Sequence, residues 1–153
     1  CARAHQGRGL VVRRDAERLN WRYADHPEHA YELALARRGG EAVGLAVFRV
    51  GAFDGVERVG LVADALTLPG DEAARHALVA WIADRARAAQ CPVIEHLLPE
   101  SSPDWRPFQD ASGFLARRLR KRFLLAFRPH SKRLRMHWLR RHWHYTLGDS
   151  AFV

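Results

Sequence analysis

The chain has 153 residues, 48% of them hydrophobic, which is enough for one domain with a buried core and too few for two ordinary ones. Its 25 Arg and Lys against 17 Asp and Glu give a formal net charge of +8, a balance that draws polyanions and excludes an acidic solvating tail. No apolar run approaches the roughly 20 residues that span a bilayer, and the first residues lack the apolar core of a signal peptide, so the chain reads as a soluble cytoplasmic domain. Its two cysteines, Cys1 and Cys91, suit a reducing compartment.

Residues 1–13 are rich in Gly and Arg apart from Leu10, Val11 and Val12, and residues 1–14 read as a linker or a remnant strand ahead of a domain over 15–153. From Asp15 to Tyr23 the spacing of Ala16, Leu19 and Tyr23 predicts a short helix that His26-Pro27 stops. Two strands follow, 31–36 and 42–50, joined through Arg37-Arg-Gly-Gly-Glu41, whose glycines supply the positive φ angles of a tight hairpin. Gly51 to Gly55 makes a second turn, and the apolar run Val59-Gly-Leu-Val-Ala-Asp-Ala-Leu-Thr-Leu68 is the central strand of an antiparallel meander. Pro69-Gly70-Asp71 breaks that strand and starts a long helix reaching about Ala89, with Ala74, Leu78, Ile82 and Ala86 on its buried stripe. Residues 92–98 form a strand that must return parallel to the central one, since a right-handed crossover allows little else. Asp104 to Ala111 is a second short helix, closed by Gly113 in the C-cap role, and 114–119 with 122–127 form a C-terminal hairpin. From Pro129 onward the chain is basic and aromatic.

This order resembles that of the Gcn5-related N-acetyltransferases, an α/β (α+β) fold with a mixed sheet. The residues that carry the resemblance are Leu19-Asn-Trp-Arg-Tyr23 with His26-Pro27, Gly44, the unit from Val59 to Gln90, and Gly113-Phe114. The closing Trp143-His-Tyr-Thr-Leu-Gly-Asp-Ser150 is similar to the ending of a bacterial branch associated with polysaccharide genes. Against the family pattern the first strand and helix are missing, so the chain reads as a C-terminal portion with an upstream domain as a partner. The resemblance implies acetyl-CoA as co-substrate and an amine of a small metabolite or sugar precursor as acceptor. The donor is expected where the central strand splays from its parallel neighbour, against Leu66, Leu68, Gly70, Ala73, Ala74 and Arg75, with its pyrophosphate on the N–H groups of the loop that opens the long helix.

That loop, Gly70-Asp-Glu-Ala-Ala-Arg75, departs from the family's glycine-rich pattern: Ala73 and Arg75 fill the glycine slots, and Asp71 and Glu72 bring negative charge to the helix start. Either Arg75 and the basic C-terminal face compensate, or the loop does not hold CoA well. Acetyl transfer needs a base for the amine proton and a polarised thioester carbonyl, and Asp64 on the central strand is the base candidate, its alternative being a carboxylate paired with an arginine. The tyrosine that serves the family as general acid falls on Gln109, which has no proton to give, while Glu95 and His96 alternate on the next strand, so only one faces the cleft. His137, His142 and His144 match no zinc spacing. Eleven of the 25 positions from Arg117 to Arg141 are Arg or Lys, which leaves a second reading open: a non-catalytic binding or scaffolding module of the same fold for an anionic partner. Without an RNA-binding motif the aromatic residues of the tail read as caps on the core and not as a nucleic-acid surface.

Overall fold

The computed structural model describes residues 7–116 and 135–150. The elements run β1 (Leu10–Val11), α1 (Ala16–Leu19) continuing into a π-helical turn (Asn20–Ala24), β2 (Glu32–Arg38), β3 (Glu41–Phe53), β4 (Val56–Thr67), α2 (Glu72–Ala88), β5 (Val93–His96), α3 (Trp105–Ser112), α4 (Met136–His142), β6 (Trp143–His144) and a 3₁₀ turn (Leu147–Asp149). The expected hairpin over 114–127 lies outside the described residues from 117 on, and Phe114, Leu115 and Ala116 are irregular. Most of the basic stretch from Arg117 to Arg141 lies outside them as well. The basic tail contributes a helix, α4, that its arginine-rich composition conceals.

A mixed sheet in the order β2-β3-β4-β5 forms the centre. The meander is antiparallel, and β5 returns parallel to β4 through α2, as a right-handed crossover requires. The strands are longer than the sequence pattern suggests, because their turns shrink to two residues each: Gly39-Gly40 (φ 56° and 84°) and Asp54-Gly55 (φ 49° and 87°). Such a turn matches the strand twist, so pairing runs right up to it.

Alternation divides the sheet's side chains between two apolar layers. On one face Leu45, Val47, Val59, Leu61 and Ala63 pack with Leu19, Tyr23 and Leu147. On the other Ala46, Phe48, Val62 and Ala65 pack with Leu78, Ile82 and Ala86 of α2 and Phe108 of α3. The register slips twice along β3 and β4, near the hairpin turn and again mid-strand, where Val47 pairs Asp64 while Phe48 pairs Val62, leaving Ala63 as an extra residue. This β-bulge turns Asp64 to the same side as Ala63, towards Tyr23, where strict alternation would aim it at α2.

The C-terminal phrase Trp143–Ser150 closes the first layer. Thr146 and Asp149 cap one another around the 3₁₀ turn. Arg22 donates from Nε to the carbonyl of Gly148 at 3.0 Å and from Nη2 to that of Ser150 at 2.9 Å. Gly148 sits so close under Tyr23 that a Cβ built on it would lie 1.8 Å from the phenolic oxygen and 3.0 Å from the carbonyl oxygen of Ala63. Gly148→Ala is therefore expected to cost about 2–3 kcal/mol in urea unfolding, and part of that loss is expected to return in the Gly148→Ala/Tyr23→Phe double variant, which removes the nearest clashing atom.

Candidate functional site

The pairing of β4 with β5 covers Val59 to Val62 against Val93 to His96. Beyond Val62 the two strands part, and β4 runs on through Asp64, Leu66 and Thr67 with only β3 beside it in the sheet. This gap is where a ligand between parallel neighbours would enter. Two groups from distant parts of the chain stand at it. Arg8, 3% exposed, donates from Nη2 to the carbonyl of Thr67 at 2.9 Å and bridges to Asp104 at the start of α3, with Nε to Oδ2 at 2.5 Å and Nη2 to Oδ1 at 2.6 Å. His144, also buried, shares its Nδ1 with the Ser102 hydroxyl at 2.9 Å and lies 3.7 Å from the Asp104 carboxylate. Both contacts fall on the same nitrogen, so Ser102, His144 and Asp104 form no proton relay of the hydrolase kind.

Asp64 is fully buried. Its Oδ2 accepts from Arg14 Nε at 2.6 Å and from the Tyr23 hydroxyl at 3.2 Å, while Arg14 also reaches Asp149 at 2.7 Å and the Thr146 hydroxyl at 3.3 Å. Burial alone pulls the Arg14 pKa down, yet Asp64 and Asp149 together reverse that, and the net shift is upward, which keeps the guanidinium charged. Burial and the Asp64 carboxylate push the Tyr23 phenol upward, so it stays a donor. Of the two roles the sequence leaves open for Asp64, proton acceptor or arginine partner, this geometry supports the second. A substrate amine has no route to a carboxylate closed in on every side.

The residues expected at the donor loop separate into two groups. Gly70 and Arg75 come together in one cavity of about 500 Å³ between the starts of α2 and α3, with Pro69, Glu72, His76, Arg8 and Asp104. Leu66 and Ala74 are buried in the core, Leu68 is half-buried, and Ala73 is exposed. The helix start itself is largely occupied: the Asp71 carboxylate accepts the Ala74 amide at 3.0 Å and an Arg38 guanidinium at 2.8 Å, the Glu72 amide goes to the Gly70 carbonyl, and the Arg75 amide to the Asp71 carbonyl. The Arg38 hydrogen bond, then the Ala74 amide, hold the Asp71 carboxyl below its usual range. The dipole's preference for an anion is thus met from within the chain. Arg75 is the exception. It is 6% exposed, its Nε is buried without a hydrogen-bond partner, and its guanidinium lies 5.9 Å from the centre of the Phe108 ring. Among the described residues it makes no ion pair, although its charge reaches the Asp71 carboxyl through space, and a buried cation so placed on the wall of a cavity is a place for an anionic ligand.

A second cavity, about 450 Å³, lies beyond the end of β5 against α3, and it takes in Glu95, His96, Gln109 and Tyr145. Glu95 and His96 both line it, which corrects the expectation that only one could face the cleft: β5 ends here, and the alternation no longer separates two closed faces. Burial, then the neighbouring His144, lower the His96 pKa to about 4, so the ring is neutral at pH 7, with Nε2 unpartnered. Tyr145 brings a phenol to the cavity that Gln109 also lines, and burial raises its pKa and keeps its proton on. Sequence reading passed over Tyr145 because it belongs to the C-terminal phrase and reaches the cavity only through the fold. His142 bonds the Trp138 carbonyl at 2.8 Å, away from His144, and among the described residues no three metal-ligating side chains converge.

With this geometry in hand, comparison with solved structures identifies the architecture. A probable acetyltransferase superposes with a TM-score of 0.54 over 74% of this chain and 77% of its own, at 15% identity. The two share one α/β (α+β) fold built on a mixed sheet. A transcriptional regulator from Bacillus halodurans C-125 is similar in the same way, with a TM-score of 0.57, 20% identity, and coverage of 72% of this chain and 74% of that one. At such identities the likeness concerns fold. No protein-family model matches the chain, and no curated protein matches it significantly. Among the described residues no helix is long and apolar enough to cross a membrane.

Two outcomes follow from the buried charges. Arg14→Met leaves Asp64 and Asp149 buried without their cation, and is expected to cost roughly 3–5 kcal/mol in denaturant unfolding, well above the loss from Asp64→Asn, which keeps a hydrogen-bond acceptor at that position. The His96 shift sets a pH window. The unfolded chain takes up a proton near pH 6.5 and the folded chain only near pH 4, so stability is full above pH 6.5 and falls as the pH drops towards 4, by on the order of 3 kcal/mol. His96→Gln is expected to flatten that part of the stability profile.

Proposed function

We propose that this domain is an acyl-CoA-dependent N-acetyltransferase that moves an acetyl group from acetyl-CoA to an amine of a small metabolite or sugar precursor. The fold supports the reaction class, and the observation that carries the donor assignment is Arg75, buried and outside any ion pair among the described residues, on the wall of the cavity at the start of α2. In this reading Arg75 takes a donor phosphate in place of the loop amides that Asp71 and the backbone already engage. The amine nitrogen attacks the thioester carbonyl, the carbon–sulfur bond breaks, the amine's proton leaves to a base, and the sulfur departs as thiolate and is then protonated. Tyr145, with its retained proton, is the group assigned to that last step. Neutral His96, in the same cavity, is assigned as the acceptor of the amine proton, and Asp64 to positioning through Arg14 and Tyr23. The C-terminal phrase supports placement in the polysaccharide-associated branch, and the absence of a membrane-spanning helix among the described residues is consistent with a cytoplasmic site of action.

One observation favours the second reading, a non-catalytic module for an anionic partner. Arg8 holds the Thr67 carbonyl and ties β4 to α3 across the gap. The two readings part in a calorimetric titration of acetyl-CoA into the whole chain. The enzyme reading expects saturable binding at one site, weakened at least tenfold by Arg75→Ala and strengthened by Arg8→Ala, which frees the edge of β4. Absence of binding in both the native chain and the Arg8→Ala variant would leave the module.

A further inference from the structure

A third cavity, of about 460 Å³, lies on the opposite side of the sheet from α2, between the π-helical turn and the closing 3₁₀ turn. Its walls include Arg18, Trp21, Arg22, His26, His29 and the backbone at Gly148. Four features converge on it. Trp21 is 63% exposed, although a Trp side chain is ordinarily drawn well into the core. Its ring is not left loose: the Arg18 guanidinium stands 4.6 Å from the ring centre and fixes the indole as a flat platform. The residues that present it form a π-helical turn, closed by the bond from the Asp25 amide to the Asn20 carbonyl at 2.8 Å. Such turns are rare and cluster at functional sites, because the extra residue rotates the following side chains out of the α-helical stripe. Here the rotation sends Tyr23 into the core and Trp21 outward.

The fourth feature is charge. Arg18 and Arg22 both border this cavity, and neither meets a carboxylate within ion-pair reach among the described residues: Arg22 is held by two backbone carbonyls and Arg18 by the indole. Asp149 on the same wall already belongs to Arg14 and to the Thr146 amide, leaving Glu28 as the one opposing carboxylate. His26 adds a donor. Its Nδ1 accepts from the amides of Glu28 at 3.2 Å and His29 at 3.1 Å, which puts the ring proton on Nε2, and its ring stacks on His29 at 4.9 Å between centres. Flat ring surface, two cations that lack carboxylates and an imidazole donor are the complement of a ligand that carries a planar ring and a phosphate on one frame.

We infer that the cavity between the π-helical turn and Gly148 is a nucleotide-binding site, in which Trp21 stacks the base and Arg18 and Arg22 take the phosphate. It is separate from the cavity of Arg75 and does not depend on the acetyl-donor assignment. The probe is adenosine 5′-monophosphate, titrated into the whole chain by calorimetry, with adenosine and inorganic phosphate as single-feature controls. Saturable binding of the nucleotide is expected, at least tenfold tighter than either control. Trp21→Ala and Arg22→Gln are each expected to weaken it at least tenfold, Trp21→Tyr to retain it within about threefold, and Arg75→Ala to leave it unchanged. Since Trp21 is largely outside the core, the thermal midpoint of Trp21→Ala is expected to stay near that of the native chain, and the comparison with Trp21→Tyr separates a lost ring from a disturbed fold. No saturable binding, binding equal to that of phosphate, or binding that survives Trp21→Ala and vanishes with Arg75→Ala would overturn the assignment.

Discussion

The guanidinium of Arg14 is the constraint on which this structure depends. A buried cation is tolerated only with its charge matched and its donors used, and Arg14 meets that condition with groups from three separate regions: Asp64 in the middle of β4, Asp149 and Thr146 in the closing turn, and the carbonyl of its near neighbour Val12. Every one of these placements has its own requirement. Asp64 must face away from α2, so β4 carries a bulge; Asp149 must reach inward, so the chain folds into a 3₁₀ turn; and Gly148 must lie flat beneath Tyr23, so no side chain is admitted there. The motifs Leu19-Asn-Trp-Arg-Tyr23 and Trp143–Ser150 are therefore two halves of one contact, with Arg22 and Tyr23 on one half and Gly148 and Asp149 on the other.

Much of the scaffold is legible in the sequence. The hairpin glycines, the Pro69-Gly70 break, the four-residue recurrence on α2 and Gly113 with its φ of 68° each act over a few residues, and local physics decides them. The parallel return of β5 is legible too, since chirality leaves one topology. What stays hidden depends on distant partners. No pattern in residues 59–68 reports the bulge that redirects Asp64, because the slip is defined by pairing with Val47 and Phe48 on another strand. Arg8 and Arg14 sit in a stretch whose Gly and Arg content reads as a linker, and only the acids they meet, 96 and 50 residues further on, make them core residues. Tyr145 escapes for the same reason.

The helix start shows how one scaffold can change its chemistry while keeping its shape. At the start of α2 the helix presents its positive end, but Asp71 fills it as an N-cap and Arg38 neutralises the cap from β2, so the stabilising interaction is internal. The positive charge that could attract a ligand has moved one turn along, to Arg75, where it is held by an aromatic ring and not by backbone amides.

The span of the Arg14 network sets an order of events during folding. Arg14 and Asp149 are 135 residues apart, and β1 and β6 pair across nearly the same distance. The meander and the β4-α2-β5 unit are built from neighbours and can collapse early, whereas closing so long a loop carries a large entropic penalty that the first layer of the core must repay. Until residues 143–150 arrive, Tyr23 has no floor and Arg14 lacks its bonds to Thr146 and Asp149. A chain halted during synthesis just short of Gly148 would hold a nearly complete sheet with Tyr23 uncovered and Arg14 short of Asp149, a late intermediate with exposed apolar surface for chaperones to recognise.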